Sequence, residues 1–137
     1  MSFDYKVSKV VDAPVGKVWA AWTTAEGTAG IFRARPETVT VQAKPGGKFN
    51  VTMTGPDGSE EEMTGTYVEL APNSRMVTTM DIPGGSTPPM VMDLEEVEGG
   101  KTRVTFTQDC NSSEERDFSK EGSEILLEWL NDYVKTA

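Results

Sequence analysis

The sequence contains no histidine. That absence removes Ser-His-Asp and Cys-His catalysis, the usual imidazole zinc sites and the commonest general base near neutral pH. A single cysteine, Cys110, is present, so no internal disulfide and no paired-thiol zinc or redox motif can form. Without an imidazole to activate it, Cys110 reads as a small strand residue rather than a nucleophile. Basic residues are scarce, 13 against 22 acidic ones for a net charge of -9, a balance that repels phosphate backbones and argues against nucleic acid as a partner. Long apolar runs are missing as well. The opening MSFDYKVSKVVDAP alternates polar and apolar residues instead of forming a signal-peptide core, and no later stretch approaches a membrane span, so a cytoplasmic protein with no membrane partner is expected. The acidic runs Glu60-Glu61-Glu62, Glu95-Glu96 and Glu114-Glu115 lack the spacing of a calcium loop and read as solvated strand edges and a helix start. The methionines have neither histidine nor a second thiol to help them hold copper(I). Neither metal nor cofactor is expected, and no glycine-rich phosphate loop points to a nucleotide.

What the chain does contain is regular patterning over 137 residues, a length that suits one domain with a core of its own. Phe3, Tyr5, Val7 and Val11 fall at period two, as in a strand with one buried face. Pro14 suits the first turn of a helix, and Val15, Val18, Trp19 and Trp22 follow at helical spacing. Thr24 to Gly30 is small and glycine-broken, a second short helix or turn. From Glu37 on, alternating segments are separated by turn signals: Pro45-Gly46-Gly47, Gly55-Pro56-Asp57-Gly58, Pro72-Asn73-Ser74, the loop Pro83 to Pro89, and Gly99-Gly100. This gives seven strands in all. At the end, Ser112 with Glu115 has capping-box spacing, although the helix proper is placed from Ser119 to Lys135. Phe118, Gly122, Ile125, Leu126, Trp129, Leu130 and Tyr133 form its apolar stripe. Strand, two short helices, six strands and a long helix predict an α+β domain whose antiparallel sheet curves around the last helix.

This order, with these turns, resembles the activator of heat-shock protein 90 ATPase homologue-like family of the START and Bet v 1-like SRPBCC superfamily. The resemblance is carried by Val11-Asp12-Ala13-Pro14 with Lys17-Val18-Trp19 and Thr23, by Lys44-Pro45-Gly46-Gly47-Lys48-Phe49, and by Gly55-Pro56-Asp57-Gly58. It continues through Gly65-Thr66-Tyr67 with Pro72, Gly99-Gly100-Lys101-Thr102 with Thr107-Gln108, and Gly122 with Leu130 and Tyr133. It implies a helix-grip fold with a ligand cavity, and no shared catalytic set. Two positions where the family often has tryptophan are Ile31 and Ser123 here, both expected near the cavity. The founding member's separate chaperone-binding domain has no expected counterpart in this chain.

The C-terminal helix laid over a curved sheet leaves a gap wherever the sheet bends away, so a cavity is expected between sheet and C-terminal helix. Phe32, Phe49, Met53, Met63, Tyr67, Met80, Met92, Phe106, Leu126, Trp129 and Tyr133 are the expected lining, a wall for a small apolar or aromatic ligand, because methionine reshapes easily and contacts aromatic rings well. Arg33, Arg35, Gln108, Asp81 and Asp93, with Tyr67 and Tyr133, are the polar groups available to orient it. Access is expected near the loop Pro83 to Pro89, acting as a lid. One alternative is a polyketide-cyclase-like enzyme with Asp93 as a desolvated base and Tyr67 or an arginine steadying an enolate-like oxygen. Another is a chaperone-associated or protein-interaction module, and a homodimer through hairpin edges and the first helix is the expected self-association.

Overall fold

A computed structural model describes residues 3–54 and 57–136. Strand β1 (Phe3–Val11) leads into helices α1 (Val15–Thr23) and α2 (Ala25–Phe32), then β2 (Thr40–Val41), β3 (Lys48–Thr54), β4 (Glu60–Ala71), β5 (Arg75–Ile82), β6 (Gly85–Ser86), β7 (Met90–Val97), β8 (Lys101–Cys110) and helix α3 (Ser113–Thr136). Seven strands follow one antiparallel path, β1-β8-β7-β5-β4-β3-β2, as expected. The eighth, β6, lies inside the Pro83 to Pro89 loop, where no strand was expected: Gly85 and Ser86 pair back on Ile82 and Asp81. Glycine makes this possible, since Gly84 takes a φ of 86° at the turn. Of the Gly55 to Gly58 turn, Gly55 and Pro56 lie outside the described residues. In the other half, Asp57 accepts hydrogen bonds from Ser59 N–H and Oγ at 3.0 and 2.6 Å.

The two short helices share one residue at their junction. The Thr24 hydroxyl donates to the Ala20 carbonyl at 2.8 Å and accepts from Gly27 N–H at 3.0 Å, so it closes α1 and starts α2 together. Gly27 is required for the tight corner, because a Cβ there would lie 2.5 Å from the Ala21 backbone. Helix α2 ends on Arg33, left-handed at φ 56°, whose N–H returns to the Ala29 carbonyl.

Helix α3 begins at Ser113, six residues before the expected start at Ser119. The capping-box spacing was the better guide: Ser112 Oγ accepts from Glu115 N–H at 3.1 Å, and the Glu115 carboxylate accepts from Asn111 N–H at 2.6 Å. The stripe also turns. Ser123, Leu127, Leu130 and Val134 are the buried positions, whereas Phe118 and Ile125 are 81% and 42% exposed and Gly122 faces open space. The inward face packs on β1, β8 and α2, where Val7, Val11, Val18, Ile31 and Val104 complete the core. No helix among the described residues is long and apolar enough to cross a membrane.

Candidate functional site

Directly opposed residues of antiparallel strands point to the same face, so strand register alone builds most of the site. One row runs Val7, Phe106, Met92, Met76 across β1, β8, β7 and β5. The next runs Tyr5, Gln108, Met90, Thr78, Tyr67 from β1 to β4, and a third sets Met80, Gly65 and Phe49 side by side. Just past Tyr67 the β4 ladder slips, with Val68 as the extra residue, and such a bulge bends its strand. Gly65 leaves room for the Phe49 ring, whose Cζ lies 2.1 Å from where a Cβ would stand. Phe49 then rests against Tyr67 with ring centroids 5.1 Å apart.

Over this surface α1 and α2 place Trp22, Thr28 and Phe32. Trp22 meets Phe32 and Phe106 edge to face, at 6.3 and 6.0 Å between centroids. Between helices and sheet lies a cavity of about 200 Å³, lined by the named side chains of the three sheet rows from Phe106 and Met90 to Phe49, by Met63, by the α1 and α2 trio, and by Leu126 of α3. Five methionines, Met63, Met76, Met80, Met90 and Met92, stand in this wall.

The expected lining is brought together in part. Phe32, Phe49, Met63, Tyr67, Met80, Met92, Phe106 and Leu126 line the cavity; Met53, Trp129 and Tyr133 do not. Met53 packs beneath α2 with Ala29, Val39 and Val51. Trp129 is covered by the Arg33 guanidinium, 5.1 Å from its ring, and Arg33 also bonds Asp132 at 3.2 Å. Tyr133 fills the space left by Gly30, where a Cβ would fall 2.1 Å from the ring. The roof, expected from the C-terminal helix, is therefore mainly α1 and α2, with α3 contributing Leu126 alone among the described residues. Trp22, Thr28, Met76, Thr78 and Met90 were not on the expected list. Alternation from Met80 and Met92 would have found Met76, Thr78 and Met90, and the α1 stripe contained Trp22. Nothing in the sequence marked Thr28.

Apart from Tyr67, the expected polar set lies elsewhere. Asp93 is an exposed ion-pair partner of Arg75 at 2.9 Å, and Asp81 is held by Lys48 at 3.0 Å, which keeps its carboxyl below the usual range. Both follow cavity-facing methionines by one residue and so point to the other face. The Asp93 base of the cyclase reading is thereby overturned, and no carboxylate lines the cavity among the described residues. Arg35 pairs with Glu60 at 3.0 Å. Gln108 belongs to a buried network at the β1, β8 and α3 junction, where Tyr5 Oη meets Ser123 Oγ at 2.8 Å and donates to Gln108 Oε1 at 3.1 Å. Ser123, where relatives often have tryptophan, leaves space for that hydroxyl, and Ile31 is a fully buried core residue. Neither touches the cavity. Cys110 is buried beside this network, and burial pushes its thiol up. Tyr67 Oη donates to the Trp22 carbonyl at 3.2 Å, and burial drives its phenol to about 12, so it stays protonated.

The expected lid is fastened rather than loose. Thr87 exchanges two 2.9 Å hydrogen bonds with the Met80 backbone, and Gln108 Nε2 donates to the Pro88 carbonyl at 2.8 Å. No residue from Pro83 to Pro89 lines the cavity.

Two residues of the wall carry an orphaned polar atom: the Trp22 Nε1–H and the Thr28 hydroxyl are buried with no hydrogen-bond partner among the described residues. Each such group costs about 1–3 kcal/mol.

An antiparallel sheet gripping a long terminal helix, with two short helices roofing an apolar cavity, defines a helix-grip domain of the SRPBCC type. The chain belongs to the activator of Hsp90 ATPase homolog 1-like protein family, whose model matches residues 12–135. Solved structures share the fold. A protein from Nitrosomonas europaea is 22% identical with a TM-score of 0.80, covering 98% of this chain and 95% of that one. A Rhodobacter sphaeroides protein is 22% identical at 0.79, covering 98% and 90%. A Staphylococcus aureus protein of unknown function is 16% identical at 0.79, covering 99% and 95%. No curated protein matches the chain in sequence.

Proposed function

We propose that this protein binds a small, neutral, mostly apolar or aromatic molecule in the cavity between the sheet and helices α1 and α2. The observation that carries this reading is the cavity itself, about 200 Å³ walled by aromatic rings and five methionines with no charged side chain among the described residues that line it. A dry apolar cavity of about 150 Å³ accepts benzene, so this one suits a body of one ring with substituents. Side chains this large could have packed the space shut; five flexible thioethers around it instead make a wall that adapts to its contents. For roughly ten non-hydrogen atoms, Kd values between about 10 and 100 µM are expected. The lone buried thiol suits a reducing compartment, and the cytosol is the proposed location.

Native mass spectrometry against a library of single-ring compounds tests the proposal. Leu126→Trp, which fills the cavity from α3, should abolish the adducts while leaving the protein folded. Adducts that persist unchanged in this variant would place binding elsewhere.

A further inference from the structure

Two residues that line the cavity, Trp22 and Thr28, each carry a buried polar atom without a hydrogen-bond partner among the described residues. Trp22 stands in the last turn of α1 and Thr28 in the middle of α2, two helices joined by the Thr24 hydroxyl. Trp22 is fixed by the Tyr67 hydrogen bond to its carbonyl and by its edge contacts with Phe32 and Phe106. Thr28 is 3% exposed. A helical threonine commonly gives its proton to the carbonyl four residues back, as Thr23 does to Trp19 and Thr24 to Ala20, both at 2.8 Å. Thr28 departs from its neighbours in not doing so.

We propose that the ligand carries one neutral carbonyl oxygen, a ketone or aldehyde on a hydrocarbon body, and that Trp22 Nε1–H and the Thr28 hydroxyl both donate to it. This inference rests on the cavity-binding reading above and specifies its ligand. An indole N–H only donates, which excludes an ammonium as its partner; a neutral amine offers one lone pair for two donors, whereas a carbonyl oxygen has two, one for each. A carboxylate does not fit, since no lysine or arginine among the described residues lines the cavity to neutralise it. Each donor atom presents less than 1 Å² of accessible surface, so the oxygen reaches them as the wall yields. Threonine has two accessible helical rotamers, and the methionines opposite are flexible.

The test compares acetophenone with cumene, of similar size, in which a methyl group and a hydrogen replace the carbonyl oxygen. In the unaltered protein, acetophenone should move the assigned Trp22 indole N–H resonance downfield and cumene should not. The ratio of acetophenone to cumene affinity should fall about tenfold in Thr28→Val and in Trp22→Phe, with cumene affinity in Thr28→Val unchanged within about twofold. If both compounds bind but the ratio is flat in both variants and the indole resonance responds alike, a water alone satisfies the pair and the carbonyl assignment is wrong, while the cavity reading stands. A ratio that falls only in Thr78→Val would move the oxygen to β5 and equally overturn it. If neither compound binds the unaltered protein, the cavity reading fails and takes this inference with it. The indole resonance needs no variant, so the result does not depend on either substitution folding.

Discussion

Tyr67 shows how one residue serves both the fold and the cavity wall. Its ring packs at a tilt against Phe49 and its hydroxyl closes the last turn of α1, and the cost of burying a phenolate raises its pKa to about 12. Above the ordinary value of 10.0 the unfolded chain releases this proton while the folded one retains it. Stability is therefore full below pH 10 and falls as pH rises toward 12, by roughly 2–3 kcal/mol from this group. Urea titrations of Tyr67→Phe should show a shallower alkaline fall than the parent and, at neutral pH, a loss of about 1 kcal/mol for the missing hydrogen bond. An equally steep alkaline fall in the variant would assign the effect to other groups, Tyr5 first, since burial raises that phenol too. Residue types were readable in the sequence, but residue environments were readable only through alternation. Met92 and Asp93 cannot share a face of one strand, and period two alone was enough to withdraw Asp93 as a buried base.

At the scale of elements, the strands were legible because turn residues and period two agree, and β6 escaped because two exposed residues show no alternation. Helix α3 was legible as a helix but not in its rotation. Phe118, Gly122, Ile125 and Trp129 follow one another at spacings of four, three and four, as good a stripe on paper as Ser123, Leu127, Leu130 and Val134. The choice between them was made by Tyr5, whose hydroxyl meets Ser123, and by Gly30, which receives Tyr133. These are tertiary contacts that no local pattern displays. Two consequences follow for thermal denaturation. Gly122→Ala should stabilise the protein by about 0.5–1 kcal/mol, since the helix gains propensity and the new methyl meets nothing. Gly30→Ala should destabilise it by about 1–3 kcal/mol, because the methyl must displace the Tyr133 ring. If Gly122→Ala were the damaging change instead, the outward face of α3 would have to be packed.

For the whole molecule, the cavity arises from a mismatch between a bent sheet and two helices too short to follow it. The bulge after Tyr67 bends β4, Gly65 seats Phe49 low in the sheet, and α1 and α2 bridge the opening with Trp22 and Phe32. Family resemblance implied a cavity and the methionine-bearing strands suggested its wall, whereas its roof depended on how α1 and α2 fold back at Thr24 and Gly27. The same geometry makes the central claim directly measurable, because methionine methyl groups report on their own surroundings. With methyl-labelled methionine, titration of cumene should shift the resonances of Met63, Met76, Met80, Met90 and Met92 together, leave Met53 in place, and produce no shifts in Leu126→Trp. Shifts centred on Met53, or none among the five at saturating cumene, would contradict a ligand-binding cavity at this site.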